Sequence, residues 1–381
     1  MPPEIDAGGL AFFLVGLVVF WLVVHLLNRT FSLEKYGINI SSIFVKYESR
    51  RFKDFLYRTS QKHQKIWKVF SNLSVAVGMG LLFFAFYFLT ENLFKFFAPG
   101  GQGSPVVPVV PGLTIRLYWL PYFAIAFLVA VITHEFAHGV VAIVEGIRIK
   151  SAGLFFALVQ PGGFVEPDQK ELEAAPTVSK LRVLSAGSSM NLLVGILVFL
   201  ALSVFFFRTP SGIVVMDVLH NGPLENAGVH RWDVLFAING TRISSMVDLD
   251  AFMANVTPGE RLFVATNRGE VVITAARHPS KSGKAIIGIT ASMPYFKSRA
   301  DLDVFWDTQF FTTLNWMFIL LVNLAVMNML PIPFLDGDRF LQYFFQRYAK
   351  DRLLRMLFNA FSLFLIVANM MLTFGSNMFS F

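Results

Sequence analysis

The sequence predicts a polytopic α-helical membrane protein with about six transmembrane helices, a membrane re-entrant β-loop and an inserted α+β domain. Of its 381 residues, 55% are hydrophobic and only 15% are charged, and the mean hydropathy is +0.59. Several apolar runs reach the roughly 20 residues that a helix needs to span a bilayer. Cysteine is absent, which excludes disulfides and thiolate metal ligands.

The charge distribution is typical of a membrane protein. The net charge is +7, but Lys and Arg concentrate between the apolar runs, and we expect no basic run that is interleaved with exposed aromatic residues. Basic loops beside membrane helices stay on the cytoplasmic side. We therefore expect the lipid bilayer as the surroundings of this chain and no nucleic-acid partner.

The N-terminal part is predicted to contain two spans and a basic loop. Residues 9–27 favour a membrane helix over a cleavable signal peptide, because no basic region precedes this long apolar run. Residues 29–68 hold ten Lys or Arg against three acidic residues, which indicates a cytoplasmic loop. That loop is either solvated or includes a helix on the membrane surface, with four aromatic anchors: Phe44, Tyr47, Phe52 and Tyr57. The second span follows at 70–89, and the Pro- and Gly-rich connector 97–111 suits the external side.

Two further spans flank a short apolar segment. The third span covers 117–145 and the fourth covers 181–206. Between them, residues 153–166 are too short to cross a bilayer, and Pro161-Gly162-Gly163 interrupts them. This pattern predicts a hairpin or re-entrant loop, which survives at membrane depth only where protein or a water-filled cavity satisfies its backbone.

The composition changes to that of a soluble domain at 210–294. Three β-rich segments alternate there with turn signals, and they start at Gly212, Arg261 and Val271. The fifth span is predicted at 312–330, a basic loop at 339–355 and the sixth span at 356–374. The basic residues then favour six spans with both termini and the inserted domain extracytoplasmic in the cell membrane.

The segment His134-Glu135-Phe136-Ala137-His138 stands inside the third span, nearer its cytoplasmic end. Two histidines four residues apart lie on one helix face and can share a metal ion, and Glu135 can reach a water bound to that ion. A catalytic zinc usually takes a third protein ligand. No other histidine is well placed, so the candidates for this ligand are Asp336 and Asp338. Asp338 is the weaker candidate, because it can pair with Arg339.

Together with this HExxH motif, the segment NMLPIPFLDG from Asn328 to Gly337 resembles the site-2 protease family of intramembrane zinc metalloproteases. Every fixed position of the family pattern N-x-x-P-x-P-x-L-D-G is matched. The resemblance implies three zinc ligands, His134, His138 and Asp336. It also implies that Glu135 activates the zinc-bound water as general base in regulated intramembrane proteolysis, near the cytoplasmic side of transmembrane substrates.

The same resemblance suggests roles for neighbouring residues. Asn328 would hold the substrate backbone or the oxyanion, and Asn191 would belong to the active site, although Ser188 stands where the family often has proline. The stretch around Gly162, Gly163 and Phe164 would be a membrane-dipping β-loop that offers a strand edge to an unwound substrate.

The insert resembles a bacterial-type PDZ domain in three segments, 212–219, 221–228 and 231–240. Such domains bind extended peptides or C-termini by strand addition, with 286–289 as a candidate carboxylate loop; alternatively the domain only restricts access by its bulk. The chain is thus divided into 1–116 (N-terminal helices), 117–208 (first part of the catalytic core), 209–295 (PDZ-like domain) and 296–381 (second part of the core). Three other functions stay open: an inactive membrane scaffold that binds peptides, another membrane HExxH peptidase, and a zinc transporter.

Overall fold

The computed structural model describes residues 7–99, 101, 103–110, 114–158, 160–279, 283–348 and 352–375. From the N-terminus the elements are α1 (Ala7–Phe31), β1 (Ile38–Ser41), β2 (Phe44–Glu48), α2 (Arg50–Lys62), α3 (Gln64–Phe97), α4 (Leu120–Val144), β3 (Ile149–Ala157), β4 (Gln160–Pro167), α5 (Gln169–Ala174) and α6 (Thr177–Phe205). They continue with β5 (Gly212–Val218), α7 (Pro223–Asn226), β6 (Val234–Ile238), β7 (Thr241–Arg242), α8 (Met246–Met253), β8 (Arg261–Thr266), β9 (Gly269–Thr274), β10 (Ala276–Arg277), β11 (Ala285–Ile286), β12 (Ile289–Tyr295), α9 (Val304–Asn328), α10 (Asp336–Tyr348) and α11 (Arg352–Gly375).

Six helices of the described chain are long and apolar enough to cross a membrane: α1, α3, α4, α6, α9 and α11. Together with the β-sheet regions they confirm the predicted fold class. The chain forms two compact units, Met1–Ile196 with Trp316–Phe381, and Leu197–Asn315. The four-part division at 116, 208 and 295 stays a prediction.

The first unit contains a four-stranded antiparallel sheet in the order β1-β2-β3-β4. Strands β3 and β4 form the expected hairpin, but Pro161-Gly162-Gly163 lies within β4 and does not break it. Gly162 is paired with Phe155, and a Cβ atom on Gly162 would come within 2.3 Å of that ring. The glycine is therefore needed for close approach within a strand, which local sequence cannot distinguish from a turn glycine.

The basic segment 29–68 is more ordered than the sequence suggested. Phe44 and Tyr47 lie on β2, which pairs with β3, so two of the four expected membrane anchors belong to a sheet. Helix α2 starts after Ser49, whose Oγ accepts a hydrogen bond from the backbone N–H of Phe52 at 3.2 Å. Leu56 of α2 is fully buried in a cluster with α4 residues. The segment therefore supports α4 from one side.

Residues 336–348 form α10, whereas the sequence predicted a basic loop beginning at Arg339. Phe340 and Leu341 of this helix are buried against Met329 and Leu330, the last residues before the Pro-containing turn. A Cβ atom on Gly337 would come within 2.1 Å of the Met329 carbonyl oxygen, so only glycine allows α10 to pack this closely. The basic residues of this segment suggested a loop, although its apolar residues fall on one face of a helix.

The second unit contains the predicted strands at Gly212–Val218, Arg261–Thr266 and Gly269–Thr274. Its antiparallel sheet has the order β12-β5-β6-β8-β9, with β7 paired to β6. The core is made of buried aliphatic side chains, among them Ile213, Leu235, Ile238 and Leu262. Each such side chain contributes roughly 1.5–3 kcal/mol by leaving water. Strand β12 is an edge strand of this sheet.

Candidate metal centre

Helix α4 places the two histidines of the HExxH motif side by side. The imidazole rings of His134 and His138 have centroids 4.5 Å apart, and their Nε2 atoms are separated by 3.0 Å. His134 is only 8% exposed. The i,i+4 spacing on an uninterrupted helix produces this arrangement locally.

The third member comes from the N-terminus of α10. Asp336 Oδ2 is 3.1 Å from the Nε2 atom of each histidine. The chain reaches this point through Pro331 and Pro333, and Phe334 has a φ of 80°, a left-handed conformation that is costly for a side chain of this size. The prolines and this strained residue end α9 and turn the carboxylate back toward α4.

The three atoms fit a metal ion. Their mutual separations are 3.0–3.1 Å, and all ligand atoms of the group lie within 4.8 Å of one another. In a tetrahedral zinc site with bonds of about 2.0–2.1 Å, ligand atoms stand roughly 3.3 Å apart. Two imidazole nitrogens and a carboxylate oxygen are also ligands that zinc prefers.

Groups around the ligands orient them. The backbone carbonyl of Val183 on α6 lies 2.7 Å from His138 Nδ1, and a carbonyl can only accept, so Nδ1 carries the proton and Nε2 presents a lone pair. Burial alone would raise the pKa of Asp336, but its contacts with the two histidines hold this pKa below its usual range. The carboxylate is thus ionised at neutral pH, as a metal ligand must be.

Gly187 of α6 packs directly against the two imidazoles. A Cβ atom at this position would lie 2.4 Å from His138 Nε2 and 2.6 Å from His134 Nδ1. That Nδ1 atom is buried and has no hydrogen-bond partner among the residues that the structure describes. The sequence pointed only to close helix packing here; the specific contact with the histidines was missed.

Glu135 faces a cavity of about 510 Å³ and makes no hydrogen bond within the described chain. Gly163 of β4 packs against it, because a Cβ atom there would come within 2.9 Å of Glu135 Cγ. The carboxylate is therefore held between α4 and the hairpin while its oxygens stay available to a water molecule.

All six predicted site residues line this one cavity: His134, Glu135, His138, Asn191, Asn328 and Asp336. Asn191 is buried, and its Oδ1 accepts a hydrogen bond from Thr133 Oγ1 at 2.9 Å. Asn328 has no hydrogen-bond partner among the described residues. The chain also brings Gly162, Gly163 and Phe164 of β4 to the cavity.

Asp338, the other candidate ligand, is used elsewhere. Its carboxylate accepts hydrogen bonds from the Arg355 guanidinium at 2.9–3.1 Å and from Asn359 Nδ2 at 2.8 Å. The expected pairing of Asp338 with Arg339 is therefore wrong. Two helical residues separated by two positions point to different sides, so Asp336 faces α4 while Asp338 faces α11.

In the inserted domain, the candidate carboxylate loop 286–289 lies beside α7. The Ile287 carbonyl accepts a hydrogen bond from Leu224 N at 3.2 Å, and the Gly288 carbonyl accepts one from Leu219 N at 2.7 Å. Gly288 has a φ of 93°. These contacts anchor the loop at the start of the edge strand β12.

Comparisons with known proteins found a matching family and several relatives. Peptidase family M50 matches residues 122–372. The chain is 25% identical over 325 residues to an uncharacterised protein of Methanocaldococcus jannaschii. The aligned region covers 85% of this chain and 82% of the relative.

Named relatives are matched over a shorter length. The chain is 25% identical over 208 residues to a membrane-bound transcription factor site-2 protease homolog of Arabidopsis thaliana, covering 50% of this chain and 39% of that one. It is 25% identical over 228 residues to the zinc metalloprotease RasP of Shouchella clausii, covering 47% and 54%. The match thus spans about half the length of these two named relatives or less.

Proposed function

The chain belongs to peptidase family M50, the site-2 protease family, and on that premise we propose that it is an intramembrane zinc metalloendopeptidase that cleaves transmembrane segments of other membrane proteins. The observation that carries the proposal is the convergence of His134, His138 and Asp336 in one cavity with Glu135. Six apolar helices support a multi-pass membrane protein.

Each group in the cavity takes a defined part of the reaction. His134, His138 and Asp336 would hold the zinc ion, which supplies Lewis acidity to the scissile carbonyl and to the attacking water. Glu135 takes a proton from this water and then delivers it to the leaving amine. The Val183 carbonyl keeps the His138 imidazole in the required tautomer throughout.

The two asparagines act on the substrate side of the cavity. Asn328, whose carboxamide is unpartnered within the described chain, donates to the substrate carbonyl as negative charge develops there. Asn191 is tied to Thr133, the residue before His134, so its orientation is coupled to the metal-binding turn of α4. Both roles follow from position in the cavity.

Strand β4 is the proposed docking edge for substrate. A helical substrate keeps its carbonyls in internal hydrogen bonds, and in a bilayer each lost bond must be replaced. β4 ends the sheet order β1-β2-β3-β4, and no further strand pairs with it in the described chain, so an extended substrate segment can add to its outer edge beside Glu135. Pairing offsets the lost helical bonds and presents the scissile bond to the cavity.

The distribution of basic residues supports an orientation for this chain. Lys and Arg are dense in 29–68, 148–182 and 339–355 and sparse in the opposite loops. We therefore place the active site near the cytoplasmic face, with the termini and the inserted domain extracytoplasmic. In the second unit, the free edge of β12 supports binding of extended peptides or C-termini by a PDZ-like domain.

The decisive experiment combines Glu135→Gln with a reporter protein that has one membrane span. The variant should keep stoichiometric zinc, because Glu135 is not a ligand, while cleavage falls by about 10²–10⁴-fold. Glu173→Gln, which changes an exposed glutamate outside the cavity, is the matched control. Retained cleavage in Glu135→Gln would exclude the glutamate as base. A zinc-loaded wild type that cleaves no membrane reporter would instead favour the peptide-binding scaffold.

A further inference from the structure

Among the residues that the structure describes, one Lys or Arg side chain lines the cavity that holds the six site residues. Arg339 lies in its wall, and its side chain is exposed. The carboxylates lining the same cavity are Glu135 and Asp336, of which the second faces the two histidines. Arg339 has no hydrogen-bond or ion-pair partner anywhere in the described chain. Its positive charge is therefore available to a molecule that enters the cavity.

The nearest acidic residue in sequence does not neutralise Arg339. Asp338 is 7% exposed and is occupied by Arg355 and Asn359 of α11. This ion pair joins α10 to α11 and leaves the adjacent guanidinium free. Because Arg339 is exposed at the cavity and α10 is not one of the membrane-spanning helices, its guanidinium can pair with a charged group that enters from outside the chain.

The helix geometry places Arg339 close to the metal-binding group. α10 begins at Asp336, and Arg339 is three residues further on, so both lie on one face of the helix with Cβ atoms about 5–6 Å apart. An extended substrate advances about 3.3 Å per residue. The long side chain of Arg339 can therefore contact a substrate residue that lies up to about three positions from the scissile bond. A guanidinium at this position can pair with a substrate carboxylate in a bidentate manner.

We propose that Arg339 is a specificity-determining residue that pairs with an aspartate or glutamate side chain of the substrate, within about three residues of the scissile bond. This inference rests on the proposed function, because it assumes that a membrane segment is bound extended in the cavity. The pair forms when the substrate binds and persists in the transition state, so it acts mainly on KM and little on kcat.

Binding can be tested apart from cleavage in the full-length, zinc-loaded Glu135→Gln protein in phosphatidylcholine nanodiscs. The probes are membrane-span reporters with one glutamate at each of three positions on either side of the cleavage site, and the same reporters with glutamine. At one position we expect the glutamate form to bind about 10–100-fold more tightly. Adding Arg339→Gln should remove this preference, and Arg339→Glu should transfer it to a lysine reporter. Arg352→Gln, which removes an exposed arginine outside the cavity lining, should leave the preference intact.

The outcomes separate this inference from the proposed function. Equal binding of glutamate and glutamine reporters at all six positions overturns the inference, and so does an equal loss of preference in Arg352→Gln. An Arg339→Gln effect that follows the content of anionic phospholipid and not the reporter charge identifies a headgroup site and also overturns it. Failure of the wild type to cleave any reporter counts against the proposed function, while the binding preference still tests Arg339.

Discussion

At the scale of single residues, the site depends on a glycine that has no side chain beside the two histidines. Gly187 leaves the space in which the His134 and His138 imidazoles turn their Nε2 atoms toward Asp336. A methyl group there would have to displace rings that α4 and the Val183 carbonyl hold in place. Because both rings are buried or nearly so, they have little freedom to yield.

Gly187→Ala should therefore weaken zinc binding by about 10–100-fold, the range seen when groups around metal ligands are disturbed. The measurement is zinc titration against a competing chelator, with His138→Ala as the reference for a lost ligand. Gly80→Ala is the matched control, since it changes a helical glycine of α3 whose Cβ would meet nothing within 4 Å. Unchanged zinc affinity in Gly187→Ala would show that the imidazoles can move without cost.

At the scale of elements, a buried ion cluster joins three of the spanning helices beside the site. Glu145 follows α4, and its side chain is only 3% exposed. It accepts hydrogen bonds from Lys68 of α3 at 2.7 Å and from Ser179 of α6 at 2.6 Å, and the Arg182 guanidinium lies 3.2 Å away. Arg182 directly precedes Val183, so this cluster fixes the turn of α6 that orients His138.

Glu145→Gln should cost about 1–3 kcal/mol of unfolding free energy, because it leaves the largely buried Arg182 guanidinium without its counter-charge, whereas water can still solvate Lys68, which is 45% exposed. Glu171→Gln offers a matched control, since Glu171 pairs with an Arg148 side chain that is 75% exposed, and it should cost less than about 1 kcal/mol. Denaturant titration in detergent micelles measures both. Equal losses would mean that burial of the Glu145 cluster has no energetic consequence.

The same cluster predicts a pH dependence. Burial alone would raise the pKa of Glu145, but hydrogen bonds from Lys68 and Ser179 and the charge of Arg182 lower this pKa below 4.5. A lowered pKa in the folded state contributes stability above the unfolded-state pKa, and this contribution is lost as pH falls through the folded-state value. The stability difference between wild type and Glu145→Gln should thus be constant near neutral pH and shrink only below about pH 4.5.

At the scale of the whole molecule, every proposed zinc ligand belongs to the first compact unit, whereas strands β5 to β12 belong to the second. The two ends of the inserted domain are adjacent, because Phe206 and Ser298 form an antiparallel bridge. The backbone bonds from Phe207 N to the Lys297 carbonyl and from Arg299 N to the Phe205 carbonyl reinforce that bridge. A short linker can therefore close the gap that removal of the domain would leave.

Replacing residues 209–295 by a short Gly-Ser linker should preserve zinc stoichiometry and change which reporters are cleaved. Zinc content is measured on the purified protein, and substrate choice is measured with a panel of reporters that differ outside the membrane. An equal-length Gly-Ser insertion at the 239–240 turn, which keeps the domain, is the control. Loss of zinc from the shortened protein alone would make the domain part of the structural core.

Much of this molecule could be predicted from local patterns. The length and polarity of the apolar runs indicated six spans, and the i,i+4 spacing of His134 and His138 indicated a shared metal ion. Local patterns failed where a residue serves a distant neighbour. Gly162 looked like a turn residue, the helix α10 looked like a basic loop, and Asp338 looked free to pair with Arg339.

The sequence by itself determined that this protein spans a lipid bilayer and that His134 and His138 share one helix face. Both follow from properties of a single segment, namely the length of an apolar run and the helical periodicity. Only the tertiary structure showed that Asp338 pairs with Arg355 of α11, and that Val183 and Gly187 of α6 contact the two histidines. Those outcomes depend on how α10 packs against α11 and α6 against α4. Such packing is set by the sum of many contacts between segments distant in sequence, which no short stretch of residues records.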